Sequence, residues 1–222
     1  MRKGNVMAHK GSNVKTPIGD LKYVFIKGDG RNQAMPGNAP AMKYVASIIF
    51  KKDSATHKTL DKLINAEWAR YCEATGVKGS PDTDGIKSIK EESKTEVDKF
   101  GTPLKIETGN MILQMSTNVM FKDKKTSVKV LDHKGRDLTK PYQSAEWGIG
   151  EGSQGILHGL CTGNGTGGAH KVTWYLNAVQ LTKLVKYEGQ SLDIEEVEGE
   201  DIDFGMDELT ADADTDDTTP DL

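Results

Sequence analysis

The side chains best able to do chemistry in this sequence are aromatic rings set among lysines. Tyr44 and Phe50 stand in AMKYVASIIFKK (41–52), with Lys43, Lys51 and Lys52 beside them. Phe121 is followed at once by Lys122, Lys124 and Lys125; Lys134 and Arg136 flank Gly135; Trp147 precedes a glycine-rich stretch. Aromatic faces stack on nucleobases at about 1–3 kcal/mol each, and a basic groove tracks the phosphates between them. Tyr44, Phe50, Phe121 and Trp147 are therefore candidate stacking platforms. Lys43, Lys51, Lys52, Lys122, Lys124, Lys125, Lys134 and Arg136 are candidate phosphate contacts. Trp68, Tyr71 and Trp174 are assigned to the core.

Other chemistries are poorly served. Two segments match G-x-G-x-x-G, at Gly150/Gly152/Gly155 and Gly163/Gly165/Gly168. A dinucleotide fingerprint needs a helix after the glycines to hold the pyrophosphate, whereas strand-like runs follow both. These glycines are expected to form turns with positive φ. Asp212, Asp214 and Asp216 begin like a calcium loop, but Asp217 stands where glycine is needed and no Glu follows at position twelve. His158 and Cys161 would need two further ligands to hold zinc, and Cys72 falls within a helix. No acid–base pair or nucleophile–base pair stands out, so no enzymatic activity, cofactor or metal is expected.

Charge divides the chain in two. All 29 Lys and Arg lie at or before Lys186, and 15 of the 33 Asp and Glu lie in 188–222. The remaining 18 acidic residues leave a body of net +11 and a tail of −15. A body so basic carries the electrostatic footprint of a polyphosphate binder, and admits duplex DNA as well as single strands. The segment DELTADADTDDTTPDL cannot bury enough apolar surface to order itself, so a disordered tail over 188–222 is expected. A 35-residue coil spans roughly 30–35 Å, enough to compete for a binding face on its own body.

The elements that must position these residues read as mostly β. LKYVFIKG (21–28) and AMKYVASIIFKK are strand-like, rich in aromatic and β-branched residues. One helix is expected from about Ser54 to Thr75, with Leu60, Leu63, Ile64, Glu67 and Tyr71 at 3–4 spacing and Gly76 as its stop. Residues 1–20 read as a flexible basic arm and 77–101 as a mobile polar insertion. Strands resume in PLKIETG, MILQMSTNVMF, TSVKVLD, GILHGLC and HKVTWYLNAVQLTKLVKY. The pattern is that of a small barrel or sandwich with one inserted helix over 21–187. No apolar run approaches the about 20 residues a membrane helix needs. MRKGNVMAHKG lacks the apolar core of a signal peptide, so a cytoplasmic location is expected.

Three stretches carry a resemblance to a known family. YVASIIFKKD (44–53) is similar to a strand leading into a helix, VMFKDKKT (119–126) with VLDHKGRDL (130–138) to an aromatic–lysine hairpin and its following turn, and VTWYLNAVQLTKLVKY (172–187) to a last barrel strand before an acidic tail. Together with the glycine loop GIGEGSQG (148–155), they resemble the phage single-stranded DNA-binding proteins of the gene 2.5 type. The resemblance implies an OB-fold, binding of single-stranded DNA in phage replication and recombination, and strand annealing. It also implies a monomer or homodimer in the host cytoplasm, with the tail docking on phage replication proteins. The chain departs from the family's pattern in ending Pro220-Asp221-Leu222 rather than on an aromatic residue. The residues themselves also admit an RNA-binding OB protein, or an adaptor whose acidic tail meets a basic protein.

Overall fold

The computed structural model describes residues 10–79, 88–166 and 169–188; the expected acidic tail beyond Glu188 and the first nine residues lie outside them. The strands are β1 (Ser12–Lys15), β2 (Gly19–Phe25), β3 (Arg31–Asn32), β4 (Met42–Lys51), β5 (Ile89–Val97), β6 (Pro103–Asn118), β7 (Met120–Phe121), β8 (Lys124–Lys125), β9 (Lys129–Leu131), β10 (Gly148–Ile149), β11 (Gln154–Thr166), β12 (Ala169–Lys183) and β13 (Lys186–Tyr187). Two helices, α1 (Ala55–Thr75) and α2 (Thr139–Ser144), complete the elements among the described residues. The main sheet runs β5-β6-β4-β2-β11-β12-β9, with β1 on β11 and β3 on β4. It curls until β6 and β12 meet without pairing, so the barrel stays open along that seam. The chain is mostly β, an OB-like barrel with one long helix inserted after an early strand.

Alternation along β4 and β6 divides the sheet into two faces. Tyr44, Ala46, Ile48 and Phe50 of β4, with Met111, Leu113 and Met115 of β6, turn into one core that also takes Leu21, Leu157, Trp174 and Leu176. Their neighbours Lys43, Val45, Ser47 and Ile49 turn to the other side of the sheet, where Val45 and Ser47 are nevertheless buried. They pair in register with Asn118, Ser116, Gln114 and Ile112 of β6.

α1 covers part of the core. Ser54 Oγ accepts the His57 N–H at 3.2 Å, and Gly76, at φ 74°, closes the helix by donating to Cys72 O at 2.8 Å. Both ends, the start at Ser54 and the stop at Gly76, were legible in the sequence. Leu60, Ile64, Trp68 and Tyr71 bury their side chains, and Tyr71 lies against β11 so closely that a Cβ at Gly163 would fall 2.3 Å from its ring. Glu67 sits on the same buried face, fully enclosed. Its carboxylate accepts the Gly163 N–H (3.1 Å), Ser12 Oγ–H (3.3 Å) and the Arg70 guanidinium. One charged group therefore ties the helix to β11 and β1.

Three expectations need correction. The arm expected over 1–20 contains β1, which pairs with Ser12↔Cys161 through Lys15↔His158, and the start of β2. Backbone pairing, rather than apolar content, holds so polar a strand. The insertion expected over 77–101 contains β5, paired to β6 from Ile89↔Leu113 to Val97↔Pro103. Gly163 and Gly165 lie inside β11 rather than in a turn, because Tyr71 and His170 pack where a side chain would be. Of the glycines expected in turns, Gly152 has the positive φ, 87°; Gly168 lies outside the described residues.

The β5–β6 hairpin is irregular between Glu91 and Ser93, and Gly109 has a φ of 76°. There the buried Glu92 carboxylate accepts from Lys22 (2.7 Å), Thr108 (2.6 Å) and Asn110 (3.1 Å), tying the hairpin to β2. Burial would raise the Glu92 carboxyl, but these hydrogen bonds outweigh it and hold it below its ordinary value. The bond to Glu92 in turn raises Lys22.

Two measurements test these ties. Glu67→Ala should lower unfolding free energy by about 2–3 kcal/mol in urea titration, since Gly163 N–H loses its buried acceptor. A cost below about 0.5 kcal/mol would show that the carboxylate ties nothing down. The lowered Glu92 carboxyl contributes stability that is present above its unfolded value, about 4.3, and is lost as pH falls through the lower folded value. Wild type should therefore exceed Glu92→Gln in stability by a constant margin from pH 5 to 8, and the margin should shrink below about pH 4.

Candidate nucleic-acid interface

Cations and an exposed aromatic ring meet on the outward face of β2, β4 and β6. Phe25 pairs in register with Val45, and Arg31 with Lys43, so ring and cations are neighbours across the ladder. Phe25 is 40% exposed, and the Arg31 guanidinium lies 5.0 Å from its ring centroid. Between Lys22 and Phe25 the pairing with β4 is irregular, and Tyr23, 41% exposed, has a φ of 53°. A bulky residue in left-handed backbone is uncommon and costs roughly 1–2 kcal/mol. Such bulges often re-aim a side chain beside a functional surface. Lys22, although on this face, is occupied by Glu92.

A second exposed ring stands on the β7–β8 hairpin, which follows directly from the end of β6. Phe121 is 60% exposed, with Lys122 Nζ 5.5 Å from its centroid. Lys122 and Asp123 both have positive φ, 47° and 60°, the geometry of a tight two-residue hairpin turn. Lys125 bridges to Asp29 at 3.2 Å, anchoring the hairpin to the loop that leads into Arg31. Val119 N–H also donates to Met42 O at 3.0 Å. Phe25, Arg31, Lys43, Lys122 and Lys124 thus share one end of the sheet, with Lys125 spent in part on Asp29.

The other expected residues separate. Tyr44 and Phe50 are 4% and 7% exposed and belong to the core, so neither is a stacking platform. Tyr44 points inward and donates its hydroxyl to Gly28 O at 3.0 Å; Phe50 lies 5.8 Å from the His57 ring under the start of α1. Lys51 and Lys52 are exposed at the opposite end of β4 from Lys43, with Lys52 bridged to Glu91 at 3.2 Å. Lys134 and Arg136 occupy the turn after β9, at the far edge of the strand order, and Arg136 donates to Asp132 at 2.5 Å. Trp147 is half-buried, edge-on to Tyr142 at 5.8 Å. Lys186 and Lys27 lie 5.1 and 6.0 Å from its ring, and Lys27 Nζ donates to Trp147 O at 2.8 Å.

Cys161 and His158 are held in packing roles. Cys161 is fully buried, and burial pushes its thiol up to about 12. His158 hydrogen-bonds Gln180 Oε1 at 2.9 Å.

Phe25, Tyr23 and Arg31 did not stand out in the sequence. The signal was available in the alternation Lys22-Tyr23-Val24-Phe25. The partnership of Phe25 with Arg31, however, depends on a loop returning the chain to the edge of β4.

No protein-family model and no curated protein sequence matches this chain. Solved structures do. One is gp2.5, a single-stranded DNA-binding protein encoded by bacteriophage T7. It is 16% identical, with 87% of this chain and 100% of that one covered at a TM-score of 0.51. Another is the single-stranded DNA-binding protein from bacteriophage Enc34 in complex with single-stranded DNA. It is 19% identical, with 80% of this chain and 89% of that one covered at a TM-score of 0.53. This chain shares its fold with the single-stranded DNA-binding proteins of bacteriophages T7 and Enc34.

Proposed function

We propose that this chain is a non-enzymatic, sequence-tolerant single-stranded DNA-binding protein acting in phage DNA replication and recombination, in the cytoplasm of the host. The observation that carries this reading is the exposed Phe25 ring under Arg31, beside Lys43, on the outward face of β2–β4–β6. Bases stack on Phe25, Tyr23 and Phe121, and Arg31, Lys43, Lys122 and Lys124 neutralise the phosphates between them. The shared fold with two phage proteins named for single-stranded DNA binding supports the same reading. So does the +11 charge of residues 1–187. The acidic segment 188–222 competes with DNA for this face and contacts replication partners.

Fluorescence anisotropy with labelled oligo-dT tests the reading. Phe25→Ala and Phe121→Ala should each weaken binding by about 5- to 150-fold, equivalent to one lost stacking contact of about 1–3 kcal/mol. Both should leave the melting temperature within a few degrees of wild type. Phe50→Ala should instead cost about 3–5 kcal/mol of stability, because its ring fills the core. Arg31→Ala should lower the slope of log K against log salt by about 0.7, one phosphate's share on a single strand. A protein ending at Tyr187 should bind more tightly than the full chain at low salt. Equal affinities would contradict the competing tail, and failure of the full chain and the shortened one to bind would contradict the function. Competition by matched oligo-U reports whether RNA is taken equally well.

A further inference from the structure

The open seam of the barrel forms a groove whose chemistry the outward face alone does not explain. β5 pairs with β6 no further than Ile89↔Leu113, and β9 pairs with β12 only from Ala178. Between these limits the facing edges of β6 and β12 are unpaired among the described residues. Ser88 Oγ–H reaches across the seam to Val172 O at 2.9 Å.

Lys90, Gln114 and Ser116 line one side of the groove; Lys171, Thr173 and Trp174 line the other. No carboxylate lines it, and neither lysine has an ion pair among the described residues. The space is about 250 Å³, below the usual size of a site that swallows a whole small molecule. It suits one unit of a longer chain.

Two orphaned polar groups border this region. Trp174 is 3% exposed, yet its Nε1–H has no acceptor among the described residues. Ser47 Oγ, fully buried and in register with Gln114, has no partner either. Buried polar groups are nearly always paired, and each orphan costs about 1–3 kcal/mol, so two beside one groove call for a reason. Lysine ammoniums, an amide and hydroxyls suit an acceptor-rich anion. The groove wall is also in register with the face described above. Ser116 pairs with Val45 and Val45 with Phe25, which puts the groove wall two strands, about 10 Å, from the Phe25 ring's own strand.

We infer that the seam groove is a second phosphodiester-binding subsite, in which Lys90 and Lys171 clamp the backbone of a single strand that has crossed the β2–β4–β6 face. This rests on the reading of the chain as a single-strand binder.

The test uses the full chain, a salt series, and oligo-dT of about 4 and about 12 nucleotides, the range one OB-fold covers. Lys90→Ala/Lys171→Ala should lower the salt slope on the longer oligonucleotide by about 1.4, two phosphates' share. It should leave the shorter one unaffected, since a short strand fits the Phe25 platform alone. Lys58→Ala/Lys62→Ala, removing two exposed charges from α1, should leave both slopes unchanged. Ser116→Glu, placing a carboxylate in the groove, should cost on the order of tenfold on the longer strand only. An unchanged slope for a folded Lys90→Ala/Lys171→Ala protein overturns the subsite while leaving the single-strand reading intact. Equal losses from both lysine pairs, or equal losses on both lengths, also overturn it, because the effect would then be one of general charge. A wild-type protein that binds neither oligonucleotide overturns the underlying reading, and the subsite with it.

Discussion

The register of β4 is the constraint on which both core and surface depend. Tyr44, Ala46, Ile48 and Phe50 supply the inner layer of the barrel, while Lys43, Val45, Ser47 and Ile49 supply its outer layer. A slip of one residue would exchange the two sets, burying Lys43 and exposing Phe50. Pairing on both flanks, with β2 and β6, forbids that slip over most of the strand. The hydrophobic effect thus settles the surface as well as the interior: once Phe50 is inside, Lys43 must be outside, beside Arg31.

Close approach is the second requirement, and β11 meets it by omitting side chains. A Cβ at Gly159 would collide with Tyr175 O and Met115, and one at Gly163 with Tyr71. The absence at Gly163 lets α1 sit directly on the strand, where Glu67 finds the Gly163 N–H. A buried carboxylate is expensive unless fully paired; here backbone, hydroxyl and guanidinium donors converge on it. The helix is therefore fixed away from the side of β2–β4–β6 on which Phe25, Arg31 and Lys43 stand.

Local signals carried much of the fold into the sequence. Ser54 and Gly76 marked the ends of α1 because capping is a property of single residues, and the apolar runs of β4 and β12 announced themselves. β5 did not, since IKEESKTEV is mostly exposed and owes its strand geometry to pairing with β6. β1, only four residues, is a strand for the same reason. The site was less legible than the fold. The parity of Tyr44 and Phe50 was plain, but the side of the sheet to be covered by α1 was not, so two core aromatics resembled surface platforms. The exposure of Phe121 beside its lysines was readable because a hairpin is local. Phe25 and Arg31 are joined across a loop, and no spacing rule connects them. What composition could show was the sign of the partner's charge; which rings meet that partner depends on which face the helix leaves open.

The most direct test of the account is a map of backbone amide shifts of the full chain as oligo-dT is added. The largest changes should fall at Tyr23, Phe25, Arg31, Lys43 and Phe121, with the amides of α1 from Lys58 to Arg70 unmoved. Changes centred on α1, on the Trp147 cluster or on the β9 turn at Lys134 and Arg136 would contradict it.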